Sequence, residues 1–99
     1  MQPSRSTVMF TWRGVSARVG ITRNHRIEGW TLLTVDVVTP ARAPLPFAVD
    51  GRLIHGLEQE QLDAAGGVQR FLAAWADREA RSPAYLSALA KWKQGDLFR

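Results

Sequence analysis

The chain has no cysteine, which excludes a disulfide framework and any thiolate metal site. It has only two histidines, His25 and His55, far apart in the sequence. With scattered carboxylates around them they match no metal-ligand spacing. No stretch approaches ~18 consecutive apolar residues, so no membrane-spanning helix is expected. The first ten residues, MQPSRSTVMF, lack the apolar run of a secretory leader, which points to a cytoplasmic location. Missing too are G-x-S-x-G, P-loop, H-E-x-x-H and EF-hand patterns. Neither histidine sits in a recognisable triad with a nucleophile and an orienting acid. Gly66-Gly67 reads as a turn between helices rather than an anion-binding loop. The expectation is a protein that is not an enzyme and uses no cofactor and no metal.

Lysine is absent from residues 1–56, where seven arginines face only Glu28, Asp36 and Asp50. Residues 57–99 carry six basic and six acidic side chains, so the whole net charge of +4 lies in the first half. Arginine suits bidentate recognition of carboxylate or phosphate. An acidic protein surface and a nucleic acid would satisfy this asymmetry equally. The chain of 99 residues is 45% apolar, with four Trp and four Phe. That is enough large side chain to fill one small core.

Thr7–Trp12 and Val15–Ile21 alternate apolar and polar residues around Arg13-Gly14, the period of two half-buried strands joined at a glycine turn. Trp30–Val38 repeats the pattern, and Asn24 in the preceding loop suits a positive backbone angle. Thr39–Asp50, TPARAPLPFAVD, holds three prolines and reads as a crossover on the surface. Alternation of Leu45, Phe47 and Val49 allows a short edge strand there. Leu53, Ile54 and Leu57 lead into a short helix, about Glu58–Ala65, stopped by Gly66-Gly67. Val68, Phe71, Leu72 and Trp75 recur at helical spacing in Val68–Arg81. Ser82-Pro83 supplies the cap and first residue of a third helix, Pro83–Lys93, which Gly95 ends. Trp75 and Trp92 are expected to pack together.

The predicted fold is α+β: a three-stranded antiparallel sheet, then a short helix and a helical hairpin packed on one face. The single domain, 1–99, divides into the sheet at 1–38, the proline-rich crossover at 39–56, helices at 57–93 and a C-terminal tail at 94–99.

Two surfaces stand out. Arg13, Arg18, Arg23, His25 and Arg26 lie on the outer side and loops of the first hairpin, a candidate site for nucleic acid or an acidic partner. The tail Gln94-Gly95-Asp96-Leu97-Phe98 resembles the short peptide by which bacterial replication and repair proteins bind the sliding clamp. Gln94, Asp96, Leu97 and Phe98 match that pattern, while Gly95 replaces the usual leucine. The resemblance implies a protein-binding tail, with Gly95 freeing it from the helix; the alternative reading of the same residues is that Leu97 and Phe98 fold under Trp92 or against the sheet as a hydrophobic end clamp.

Thr11-Trp12-Arg13-Gly14, Arg42-Ala43-Pro44-Leu45-Pro46, Ala64-Ala65-Gly66-Gly67, Ala74-Trp75-Ala76-Asp77 and Ser82-Pro83 resemble a family of small bacterial proteins carried on plasmids and other mobile elements. Many relatives have a Gly-Tyr and a Ser-His-Phe after the proline segment, where this chain has Phe47–Gly56. The family brings no catalytic residues. It implies an accessory protein of a mobile element. The expectation taken from the two resemblances and the charge pattern together is a non-enzymatic accessory or inhibitor protein that binds a replication, repair or defence protein, the sliding clamp being the candidate that the tail suggests. A nucleic-acid-binding module using the basic hairpin is the alternative.

Overall fold

The computed structural model describes residues 4–97, with side chains as far as residue 95. Strands β1 (Ser4–Trp12), β2 (Val15–Arg23), β3 (Trp30–Thr39) and β4 (Arg52–Glu58) precede helices α1 (Gln59–Ala65), α2 (Val68–Glu79) and α3 (Pro83–Leu97). The fold is α+β, but the antiparallel sheet has four strands in the order β1-β2-β3-β4, not three. The fourth is the segment read from the sequence as a lead-in to α1. Leu53, His55 and Leu57 alternate toward the core there, opposite Val35, Leu33 and Thr31.

A two-residue turn joins β1 to β2, with both Arg13 and Gly14 at positive φ. That geometry matches the natural twist of a hairpin. The register then sets the two faces of the sheet. Phe10, Trp12, Ala17, Val19, Ile21, Leu33, Val35 and Leu57 are buried on the inner face, together with Leu62 of α1 and Leu72 and Ala76 of α2.

The proline-rich segment is not a surface crossover. Ala43, Pro44, Leu45 and Ala48 are buried. Reciprocal backbone hydrogen bonds between Leu45 and Ala48 close a tight turn in place of the short edge strand expected around Phe47. Three prolines hold this segment without sheet partners, and its small apolar residues close one end of the core.

The tryptophans also pair differently from the expectation. Trp75 stacks on Phe47, with centroids 4.9 Å apart, and lies 4.8 Å from the His55 ring. Trp92 instead donates its indole N–H to the Ala41 carbonyl at 3.3 Å. Both indoles are used by the segment that follows β3. Helix α3 runs through Gly95 to Leu97, so Gly95 does not end it.

Thr31 is the only buried polar side chain of the core among the described residues. Its hydroxyl donates to Gln59 Oε1 at 2.7 Å, tying β3 to the first residue of α1. Thr31→Val keeps the shape and removes the donor. It should cost about 1–2 kcal/mol in urea unfolding, whereas an unchanged midpoint would show that the bond contributes nothing net.

Candidate binding surface

The helices and the proline-rich turn cover the inner face and leave the outer face open. Its residues fall into cross-strand rows fixed by register. Arg5, Thr22, Leu32 and Gly56 form one row; Thr7, Gly20, Thr34 and Ile54 the next; Met9, Arg18, Asp36 and Arg52 the third. Trp30 lies across Gly56, where an added Cβ would come within 2.8 Å of the indole ring. Glycine at 56 therefore lets the ring lie flat against the sheet. Together with Ile27 and Ile54, each 67% exposed, and Leu32, this indole makes an apolar corner over β3 and β4.

Charges flank that corner unequally. Glu28, Glu58 and Glu60 line a depression of about 410 Å³ beside Trp30. Arg5 and His25 line another, of about 340 Å³, over β1–β3. Within the third row Arg52 Nε meets Asp36 Oδ1 at 2.8 Å. The hydrogen bond to Asp36, and then its charge, raise the Arg52 pKa above its ordinary value. Both groups are solvated, so this pair sets local charge rather than stability.

The sheet does not gather the hairpin arginines into one patch. Arg13 sits in the β1–β2 turn, its guanidinium 4.4 Å from the centre of the Trp12 ring. Arg18 lies mid-strand between Met9 and Asp36. Arg23 ends β2, and Nη1 reaches Ser6 Oγ at 3.4 Å. His25 and Arg26 follow in the β2–β3 loop. Eight steps of ~3.3 Å between its nine residues put the two ends of β2 roughly 26 Å apart. Only Arg23, His25 and Arg26 share an end, and Arg5 of β1 joins them there.

The tail residues fall in or beyond the last turn of α3. Gln94 is exposed, Asp96 and Leu97 are helical in backbone, and Phe98 lies outside the described residues. His55 is half-buried on the inner face, against Trp75 and Phe71, on the opposite side of the sheet from the open surface. No group of three or more His, Cys, Asp or Glu able to hold a metal occurs among the described residues. No helix among them is long and apolar enough to cross a membrane.

Sequence reasoning missed Trp30, Gly56 and Gly20 as surface-shaping residues. Cross-strand register is needed to place Trp30 over Gly56, and no local pattern carries it. The Leu53–His55–Leu57 alternation was the one available signal for β4.

A family model described as the KlcB third domain matches residues 5–85, which spans all four strands, α1, α2 and the start of α3. The chain belongs to the KlcB third-domain family. KlcB is plasmid-associated in bacteria, so the family is a bacterial, plasmid-related one. The matched KlcB region contains the entire open face and stops before the tail. Neither the curated proteins nor the solved structures give a significant match to this KlcB-type chain.

Proposed function

We propose that the chain is a non-enzymatic binding module of a plasmid-encoded system, docking a replication, repair or defence protein on the open face of its sheet. The observation that carries this reading is the flat, exposed Trp30 with Leu32, Ile27 and Ile54 around it. Tryptophan in a small apolar patch with a charged rim is the usual anchor of a protein interface. Basic groups on one side and carboxylates on the other fix the orientation of a partner of complementary charge.

Docking on the face is favoured over strand addition because side chains already occupy part of each sheet edge. Gln69 Nε2 takes the Met9 carbonyl on β1 at 3.0 Å. On β4, Asp50 takes the Arg52 N–H at 3.2 Å and Gln61 the Glu58 N–H at 3.1 Å.

The tail is the second protein-binding candidate. To act as an extended ligand, Gln94–Leu97 would first leave the last turn of α3. A purified bacterial sliding clamp tests both surfaces. Loss of clamp binding in Leu97→Ala/Phe98→Ala, with Trp30→Ala/Ile54→Asp unaffected, assigns the contact to the tail. The reverse assigns it to the sheet face. If the clamp does not bind, the same two variants are compared against host replication and repair proteins purified one at a time. A partner on the face should lose affinity about tenfold or more in Trp30→Ala at unchanged melting temperature. The competing nucleic-acid reading predicts a steep fall of binding with salt, and the apolar corner predicts a shallow one.

A further inference from the structure

We infer that the depression over Gly20 is a binding site for a phosphoryl group. The inference does not depend on protein docking at Trp30 and is carried by different residues. Gly20 is the only residue without a side chain in the row Thr7–Gly20–Thr34–Ile54. The Thr34 side chain leans over this bare position, so a Cβ added at residue 20 would run into its hydroxyl, and the depression lies beside that hydroxyl, between β1 and β3. Adjacent strands lie ~4.8 Å apart, so the Thr7 and Thr34 backbones are roughly 10 Å apart on either side of Gly20. The depression holds about 340 Å³, at the lower end of the range of roughly 300–1,000 Å³ for small-ligand sites.

Its chemistry favours an oxyanion with several acceptor oxygens. The hydroxyls of Thr7, Thr22 and Thr34 border it on three strands, with Arg5 and His25 at one side. Among the described residues these three hydroxyls take part in no side-chain hydrogen bond, in contrast to Thr11, paired with Ser16, and Thr31, paired with Gln59. A phosphoryl group accepts through three oxygens and matches such a set, with guanidinium as the charged partner. No carboxylate lines this depression, whereas three glutamates line the neighbouring one. The face thus separates a site for an anion from a site that repels it.

A free small molecule and a nucleic-acid backbone both present such a phosphoryl group, and one titration separates these sources. Amide chemical shifts of the full chain are followed against inorganic phosphate, adenosine 5′-monophosphate and a single-stranded oligonucleotide, with acetate at matched ionic strength as control. The expected result is saturable movement of the Gly20, Thr22 and Thr34 amides with a phosphorylated probe and not with acetate. Similar affinity for phosphate and the mononucleotide identifies a small-molecule ligand, and tighter binding of the oligonucleotide identifies the backbone. Arg5→Gln, an exposed substitution, should weaken binding about tenfold, the loss of one charge-assisted hydrogen bond. Gly20→Val should abolish it by displacing the Thr34 hydroxyl. If Gly20→Val does not fold, Arg5→Gln carries the test alone. The inference is overturned if no phosphorylated probe moves these amides, if acetate moves them equally, or if folded Arg5→Gln binds as tightly as the wild type. Neither variant touches Trp30 or Ile54, so failure here leaves the docking surface standing.

Discussion

Leu33→Ala should destabilise the protein by about 2–5 kcal/mol. Leu33 is fully buried at the centre of the sheet, on β3, where it pairs with both β2 and β4. Its removal leaves a cavity between the sheet and the helices that a four-stranded scaffold cannot readily close. Small domains have only about 5–15 kcal/mol in total. At about 4–8 °C per kcal/mol for this size, the melting temperature should fall by roughly 10 °C or more. The control is Ile54→Ala, one row away on the opposite face and 67% exposed, which should change stability by no more than about 0.5 kcal/mol. Calorimetry on the pair tests the assignment of the two faces. Equal effects would mean that the outer face is not open.

Trp12→Ala should produce the second large loss, about 3–5 kcal/mol. Trp12 joins three elements. Its ring meets Tyr85 of α3 edge-on, with centroids 6.0 Å apart. Its N–H donates to Asp77 Oδ1 of α2 at 3.0 Å, and Arg13 covers it from the turn. Trp12→Phe keeps one aromatic ring but removes the donor and part of the indole volume, so it should cost less than the alanine variant and more than the lost hydrogen bond alone, which is worth about 1 kcal/mol. Tyr85 supplies a local readout, because it is the single tyrosine of the chain. Burial raises its phenol pKa above 10.0, and the charge of Arg13 partly offsets the rise. The folded state therefore holds the proton more tightly than the unfolded state. The resulting contribution to stability is complete below pH 10 and is lost as the pH rises through the raised value. In Trp12→Ala the phenol loses its cover, and its absorbance titration should move back toward 10.0. A titration that stays raised would show that Trp12 does not bury it.

Much of this fold is legible in local pattern. The alternation of Val15, Ala17, Val19 and Ile21 gives β2, and Arg13-Gly14 gives its turn. Asn24 takes the positive φ its side chain tolerates, and the Asn24 carboxamide then accepts the Gly29 N–H at 3.0 Å. What escaped depends on distant partners. The Leu53–His55–Leu57 strand carries a histidine at an inward position and a glycine beside it, which weakens the apolar signal. It becomes a strand because the free edge of β3 needs hydrogen-bond partners. The prolines of residues 40–46 exclude a ladder but do not say whether the segment lies outside or inside. Its burial comes from Leu45 and Ala48 meeting the core. Gly95 lies inside α3, where its cost of roughly 1 kcal/mol relative to alanine does not break the helix. The surface was less legible than the core. Arginine content is visible in the sequence, but its dispersal along β2 and the exposed Trp30 are properties of register.

The order of the strands bears on how the chain acquires its shape. Each strand pairs only with the strand before or after it in the sequence, so no pairing waits for a distant segment. Loop-closure entropy is then small at every step, and topologies dominated by such local pairings fold fast for a sheet. Two strands alone are marginal in water, and the inner face of this sheet is apolar along most of its length. The sheet therefore becomes stable only when α1 and α2, which follow it in the chain, close over that face.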